Sequence, residues 1–482
     1  MTATLVVLGA LYAAVVAVLA VLGLHALGLA AVRAVLPPRP LPSQAPDRPA
    51  PAVLVQLPVY DEPPALVARA LDAALALDWP GPLAVQLLDD SPLEARRANA
   101  ALCAVRPGAR HVVRGTREGY KAGALAFGLG LSDAPFVAIF DVDFRPAPGL
   151  LRAIVGPLLA DPGLAFVQSR WVHARADRTV LARAQAAVLD LHFAVEQTAR
   201  DRAGWALPFN GSGGAWRRAA IDDAGGWSGE TLAEDADLAL RAQARGWRGR
   251  LNEDASVAAD LPETVAAWRR QQARWAKGLA EVARLRAGTL WRSPLPLGSK
   301  LAFTGHLALS LSLPSLLALI VLHPLVVGAA AASVGPGLPG ALAVGYVALA
   351  GVVGAHVAAM RALYPETWRR KLARIPAALV APVGLVAPAA RAVGQAVAGR
   401  RTPFARTPKG APPGRERAVP ELALAAYSVA ALAVLAAAGA WAAVPFQAVI
   451  AIGTVGAAVV VRRTPHLAEI VSEAEEVQSL AA

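Results

Sequence analysis

The chain has 482 residues, which gives room for two or three domains and excludes a single small module. Apolar residues make up 56% of it and charged residues 17%. Typical soluble proteins have about 45–50% and about 25%, so the composition disfavours a wholly soluble protein. Lysine and arginine exceed the acidic residues by 47 to 35, a net charge of +12 that favours anionic lipid or phosphorylated substrates over nucleic acid. The only cysteine, Cys103, cannot form an intrachain disulfide, and we expect the polar part to face the cytosol.

Five blocks of the sequence contain no Asp, Glu, Lys or Arg and are candidate membrane spans. The first, 5–32, exceeds the roughly 20 residues that cross a bilayer, and the others are 303–331, 339–360, 422–440 and 444–461. No basic segment precedes the first block, and it is too long for the apolar core of a signal peptide, about 7–15 residues. We therefore predict an uncleaved transmembrane anchor within residues 1–35.

The distribution of basic residues predicts the orientation. If the N-terminus lies outside, the external pieces 1–3, 332–338 and 441–443 contain no Lys or Arg. The uncharged stretch 375–390 contains three prolines, and crossing there would place the basic run 391–417 outside. We interpret it as an interfacial segment. The sequence thus predicts a multi-pass protein of the inner (plasma) membrane with its large polar domain in the cytosol.

A different pattern fills residues 51–290, after a proline-rich linker at 36–50. Short apolar runs, typical of buried strands, alternate there with amphipathic helical stretches. This alternation predicts an α/β domain with a mostly parallel sheet covered by helices, whose ligands bind beyond the carboxyl ends of the strands. The runs are 53–57, 83–88, 111–113, 136–140 and 164–168.

The remaining chain is predicted to divide into four parts. These are an interfacial helix and two transmembrane helices (291–362), a cytosolic interfacial segment with a loop (363–418), two transmembrane helices (419–462) and a cytosolic tail (463–482). His306 and His323 fall within a predicted span that offers no acidic partner, so we expect them to pack between helices.

Acidic residues follow two of the predicted strands. Asp90 comes just after the second run, and Asp141-Val142-Asp143 follows the fourth. Two carboxylates spaced i, i+2 at the end of a buried strand can hold a hard divalent cation, which in turn binds phosphate oxygens. Taken alone, such a motif is more simply explained as a solvated turn.

Two further groups lie downstream. Glu234 and Asp235 open a predicted helix, where the helix dipole alone could explain acidic residues. Gln271, Arg274 and Trp275, spaced i, i+3 and i+4, share one face of a later helix and present an amide, a guanidinium and an indole. These groups suit a sugar and a diphosphate, although a basic helix beside a membrane equally suits lipid headgroups.

In this order the motifs resemble those of membrane-embedded family 2 glycosyltransferases, a group that includes cellulose synthases, hyaluronan synthases and ceramide glucosyltransferases. The resemblance is greatest to the cellulose-synthase-like mannan and glucan synthases. It implies a GT-A type domain inserted between transmembrane helices, with about five spans plus interfacial helices. The motifs that carry it are Pro58-Val-Tyr-Asp-Glu62, Gly119-Tyr-Lys-Ala-Gly123, His192-Phe-Ala-Val-Glu-Gln197, Phe209-Asn-Gly-Ser-Gly-Gly-Ala-Trp216, Asp223-Ala-Gly-Gly-Trp227, Gln271-Gln-Ala-Arg-Trp275 and the gating-loop-like Phe404-Ala-Arg-Thr-Pro-Lys409.

The resemblance also implies roles for individual residues. Asp235, beside Glu234, is the expected catalytic base, and we expect its helix N-terminus to keep it ionised. Asp141 and Asp143 are expected to hold Mg²⁺ or Mn²⁺. The expected donor contacts are Tyr60, Glu62, Asp90, Lys121, Asp141, Gln271 and Arg274, and the expected acceptor contacts are Trp275, Asn210, Gly211 and Ser212.

The predicted function is inverting, metal-dependent transfer of a hexose from UDP-glucose or GDP-mannose to a growing β-linked polysaccharide, with processive synthesis and translocation through the membrane. The expected partners are a nucleotide-sugar donor, a glycan acceptor and the lipid bilayer, and no nucleic acid. One alternative is a lipid glucosyltransferase acting on a ceramide or polyprenyl-type acceptor. Another is a non-catalytic membrane sensor or transporter.

Overall fold

The computed structural model describes residues 3–42, 50–173, 175–331, 338–402 and 418–463. The predicted gating-loop-like segment 404–409, residues 43–49 of the predicted linker and nearly all of the predicted tail lie outside the described residues. The predicted boundaries between domains stay predictions.

An eight-stranded mixed sheet, mostly parallel, forms the centre of the domain. Its strand order is β3-β2-β1-β4-β7-β6-β8-β5, with antiparallel pairing only at β4–β7, β6–β7 and β5–β8. The five predicted strands are confirmed, whereas β5, β7 and β8 were not predicted. The strands are β1 Val53–Val59, β2 Leu83–Asp89, β3 Ala109–Val113, β4 Phe136–Ile139, β5 Phe144–Arg145, β6 Leu164–Val172, β7 Gly214–Arg217 and β8 Arg248–Ala259.

Helices cover both faces of the sheet because its central strands bury side chains on both sides. In β1, Leu54 packs into one hydrophobic cluster with Leu125 and Leu238, while Val55 packs into the other with Leu71. The helices of the domain are α2 Pro64–Leu75, α3 Leu93–Ala104, α4 Tyr120–Leu129, α5 Leu150–Ala160, α6 Val180–Leu191, α7 Thr198–Arg202, α8 Arg218–Asp223, α9 Glu234–Ala244 and α10 Val265–Arg292, and a single π-helical turn, His192–Gln197, joins α6 to α7.

Further helices, most of them apolar, flank the domain in sequence. They are α1 Ala3–Val35, α11 Leu297–Ala308, α12 Ser312–Ala331, α13 Leu338–Leu363, α14 Trp368–Lys371, α15 Arg374–Val380, α16 Val386–Val397, α17 Val419–Ala437 and α18 Val444–Arg463. Among the described residues, six stretches are long and apolar enough to cross a membrane: Ala3–Val35, Leu297–Ala329, Ala343–Leu363, Trp368–Val397, Val419–Ala437 and Val444–Arg462.

The stretch Trp368–Val397 is the sixth candidate and contains the segment that we predicted to be interfacial. It consists of α14, α15, a 3₁₀ turn and α16, and it includes Pro376, Pro382 and Pro388. By length and composition the count of candidate spans is therefore six and not five. The location of this segment at the membrane surface stays a prediction.

The domain packs directly against the apolar helices. Small side chains of α10 and α16 form one cluster with Ala276 and Ala389 at its centre. Gly23 of α1 and Gly351 of α13 lie at backbone contact, since a Cβ on Gly23 would lie 2.5 Å from the Ala348 carbonyl oxygen. Ala26 and Leu29 of α1 also pack in one cluster with Ala187 of α6, so apolar helices before and after the domain in sequence both contact it.

Candidate active site

One cleft lies beyond the carboxyl ends of β1, β2 and β4, next to the first turn of α9 and one face of α10. It brings together every predicted site residue except Ser212. Those lining it are Tyr60, Glu62, Asp90, Lys121, Asp141, Asp143, Asn210, Gly211, Glu234, Asp235, Gln271, Arg274 and Trp275.

The loop after β4 is held from behind by Ser212. The Asp141 backbone N–H donates to Ser212 Oγ over 2.8 Å. Ser212 itself is fully buried and does not line the cleft. The Ser212 side chain thus fixes the backbone of the Asp141-Val142-Asp143 loop, and the predicted acceptor contact of Ser212 stays a prediction.

Lys121 connects the loop of Asp141 to the loop of Gly211. Its Nζ donates to Asp141 Oδ1 over 2.7 Å and to the Gly211 carbonyl over 2.9 Å. Burial lowers the pKa of Lys121, but the negative charges of Asp141 and Glu234 outweigh burial and raise it overall. Lys121 therefore stays charged, as a donor to phosphate oxygens must be.

Asp235 lies in the first turn of α9 with its Oδ2 against Gly211. Gly211 has a positive φ of 75°, and a Cβ there would lie 2.9 Å from Asp235 Oδ2. Burial and the neighbouring Glu234 raise the pKa of Asp235 to about 7. The expectation that the helix N-terminus keeps this carboxylate fully ionised is therefore wrong, because desolvation and like charge are stronger here than the dipole.

Two arginines that the sequence analysis missed contact Asp90 and Tyr60, which line the cleft. Arg114 pairs with both oxygens of Asp90, at 2.7 Å from Nε and 2.5 Å from Nη2. The Arg117 guanidinium carbon lies 3.3 Å from the centre of the Tyr60 ring, a cation–π contact. Both arginines follow β3, and the rule that ligands bind after strand ends could have identified them.

Helix α10 is fixed against the start of α9 by a close approach. A Cβ on Gly278 would lie 2.8 Å from the Ala233 Cβ, and Glu281 Oε2 accepts a hydrogen bond from the Leu232 N–H over 2.8 Å. One turn earlier in α10, Gln271, Arg274 and Trp275 reach the cleft. The glycine thus allows the amide, the guanidinium and the indole to lie beside Asp235.

Comparison with known proteins agrees with this geometry. Residues 136–343 match the model of glycosyl transferase family group 2. Glucomannan 4-beta-mannosyltransferase 2 of Arabidopsis thaliana is 40% identical over 243 residues, which cover 48% of this chain and 45% of that protein. Glucomannan 4-beta-mannosyltransferase 1 of Oryza sativa subsp. japonica is 37% identical over 259 residues, 50% of each. The chain spans about half the length of the curated relatives it matches.

The fold also matches a solved structure, the mannosyltransferase PcManGT from Pyrobaculum calidifontis in complex with GDP-Man and Mn²⁺. The TM-score is 0.54 at 23% identity, over 77% of this chain and 97% of that one. This likeness confirms the predicted GT-A type fold. The predicted resemblance is confirmed as well: residues 136–343 are similar to family 2 glycosyltransferases, and the apolar helices fit a membrane-embedded protein.

Proposed function

We propose that the protein transfers a hexosyl group from a nucleotide diphosphate sugar to a β-linked polysaccharide at a membrane. The observation that carries this proposal is the convergence of Asp141, Asp235 and Arg274 in one cleft, although they are far apart in sequence. The names of the curated relatives, which are polysaccharide mannosyltransferases, support it.

The acceptor side of the reaction needs a base. Asp235 accepts the proton of an acceptor hydroxyl while that oxygen attacks C1 of the donor sugar from the face opposite the diphosphate. A single displacement of this kind inverts the anomeric configuration and requires one carboxylate. The pKa of Asp235, about 7, suits this role, because a base is most effective when its pKa is near the working pH.

The donor side must stabilise the leaving diphosphate. Lys121 and Arg274 supply fixed positive charge, and Arg274 can bind phosphate oxygens through its guanidinium. Asp141 and Asp143 would hold the divalent cation, since their carboxylate oxygens are the hard ligands that Mg²⁺ and Mn²⁺ prefer. When bound, such a cation neutralises charge on the diphosphate.

The test is the identity of the donor and of the product. Membranes containing the protein are incubated with labelled GDP-mannose or UDP-glucose, each with Mg²⁺ or Mn²⁺, and the products are sized and extracted with organic solvent. The relatives' names favour mannosyl transfer from GDP-mannose into long, solvent-insoluble β-mannan. A labelled product that extracts as a lipid would support the lipid glycosyltransferase instead. Absence of nucleoside diphosphate release with any common sugar nucleotide would contradict the proposal.

Processive synthesis with translocation is part of this proposal. Support comes from the position of the cleft. Trp275, which lines it, belongs to α10, and the following turns of α10 pack on α16 within the candidate span Trp368–Val397. A glycan end held at Trp275 would therefore lie beside the apolar helices.

A further inference from the structure

A buried polar cluster lies behind the cleft, where the domain meets the apolar helices. Its members are His192 and Glu196 of the π-helical turn, Arg200 of α7, Asn210 of the cleft wall and His306 of α11. Arg200 is fully buried, and Glu196 and His306 are more than nine-tenths buried. Burying these polar and charged side chains costs free energy, which indicates a role beyond packing.

His192 lies between two partners. Its Nδ1 is 2.9 Å from Glu196 Oε2, and its Nε2 is 2.9 Å from Asn210 Oδ1. A carboxylate can only accept, so Nδ1 carries a hydrogen. Nε2 then donates to Oδ1 if the ring is a protonated imidazolium, or accepts from the Nδ2 of a turned-over amide if the ring is neutral. In both arrangements His192 holds one end of the Asn210 amide.

Glu196 keeps this arrangement in place. Burial alone would raise its pKa, but the hydrogen bond with His192 and the charge of Arg200 lower it to about 2. The carboxylate is therefore ionised at all ordinary pH values. His192 and Glu196 are spaced i, i+4 within the π-helical turn, and such turns occur frequently at functional sites.

The other end of the amide has no partner within the described part of the protein. Asn210 lines the cleft, and its Nδ2 is buried there without a hydrogen-bond partner among the described residues. The next residue, Gly211, contacts Asp235 Oδ2. Asn210 and Asp235 therefore border the same part of the cleft. Leaving such a group without a ligand costs free energy, and a sugar hydroxyl supplies the missing bond.

We infer that His192 is a positioning residue, which holds the Asn210 amide so that its free end binds an acceptor sugar hydroxyl beside Asp235. This inference rests on the proposed function. It assigns a role to the first residue of the His192-Phe-Ala-Val-Glu-Gln197 motif, which the proposed reaction leaves unexplained.

A cation could in principle take the place of the hydrogen between His192 and Glu196. One ligand atom each from His192, Glu196 and His306 lie within 4.8 Å of one another. However, Arg200 Nη1 lies 3.9 Å from the same Glu196 oxygen, and its buried positive charge opposes a divalent ion. The charges therefore favour a hydrogen bond over a metal.

The test is a double-mutant cycle of H192A, N210A and the double variant. The acceptor KM is measured for mannosyl transfer from GDP-mannose to β-1,4-mannotetraose. Each single change should raise it about fivefold to tenfold, as expected for one hydrogen bond, with the donor KM nearly unchanged. Because His192 acts only through Asn210, H192A should add nothing in the N210A background. H192Q, whose amide can still bond Asn210, should recover part of the loss.

The control is H356Q. His356 is also buried at this junction but hydrogen-bonds the Val352 carbonyl of its own helix, so the acceptor KM should not change. Additive effects of H192A and N210A, or equal effects on donor and acceptor KM, would overturn the inference. The inference would also be overturned if the protein bound one metal ion per chain and H306Q lost that ion.

Melting temperatures of the unmodified protein, H192A, N210A and the double variant test this inference independently of the proposed function. Absence of transfer by the unmodified protein would contradict the proposed function alone. The link between His192 and Asn210 would still give non-additive melting temperatures, and additive ones would overturn it.

Discussion

Asp235 is placed where burial and charge both oppose its ionisation. Since its pKa is about 7 and a base must be ionised, transfer should increase as pH rises from about 5 through 7 and then level off. D235N should lower the transfer rate by about 10²–10⁴-fold and leave donor binding nearly intact. The measurement is product formation against pH together with equilibrium binding of the sugar nucleotide. D254N, which changes an exposed carboxylate, serves as the control. Turnover of D235N within tenfold of the unmodified protein would remove Asp235 from this role.

Asp143 gives a prediction about metal. D143A should weaken binding of nucleoside diphosphate in the presence of Mn²⁺, because the carboxylate would join the cation to the phosphates. A chelator should weaken binding by the unmodified protein and have little effect on D143A. D133A, which removes an exposed carboxylate, should bind nucleoside diphosphate as the unmodified protein does. Equal affinities with and without chelator in both proteins would refute the metal role.

Trp275 separates polymer synthesis from single transfer. If its indole is the platform for the end of the growing glycan, W275A should shorten the product sharply and leave donor binding largely unchanged. A displacement of the acceptor by about 1 Å can cost about 100-fold in rate, whereas hydrolysis of the donor by water needs no platform. Product length and free sugar are measured side by side. An unchanged length distribution would make Trp275 a packing residue.

Single residues also show how much of the candidate site can be predicted from the sequence. Thirteen of the fourteen expected site residues line one cleft, because strand ends and helix periodicity determine which side chains meet. The exception, Ser212, follows a cleft residue but has its side chain on the buried side of the loop, a direction that sequence does not reveal. Arg114 was missed because its bond to Asp90 depends on the pairing of β2 with β3.

At the scale of elements, the continuous apolar runs were predictable and the interrupted ones were not. β1, β2 and β4 are buried on both faces, so their sequences are almost wholly apolar. β8 contains Asn252, Glu253 and Asp254 in its middle, where its register with β6 shifts. These polar residues interrupt the apolar pattern, so the sequence does not predict a strand there. The π-helical turn was not predictable either, since its composition is that of an ordinary helix.

The contact between α1 and α13 yields a prediction for two glycines of one helix. G23V would place side-chain atoms against the Ala348 carbonyl, so the helices must separate, and we expect a melting temperature lower by several degrees. G28V is the matched control, because nothing lies within 4 Å of a Cβ there. The measurement is thermal unfolding in detergent. Equal melting temperatures of the two variants would show that the close approach does not contribute to stability.

At the scale of the whole molecule, the basic residues predict the orientation in the membrane. Burial raises the pKa of the only native thiol, Cys103, to about 11, so it should not react with a maleimide at neutral pH. With an impermeant maleimide, A442C should react in intact cells, and D254C only after the cells are permeabilised. Both positions are exposed. The reverse result would place the catalytic domain outside.

The backbone contact between Gly23 and Gly351 has a consequence for the order of assembly. During synthesis α1 emerges first, whereas α13 emerges only after the whole catalytic domain, and domains generally fold in the order in which they are made. Until α13 is made, Gly23 of α1 therefore lacks the backbone that it contacts in the folded protein. The two helices can meet only after the domain between them has been synthesised, so this packing step takes place in the membrane and late in synthesis.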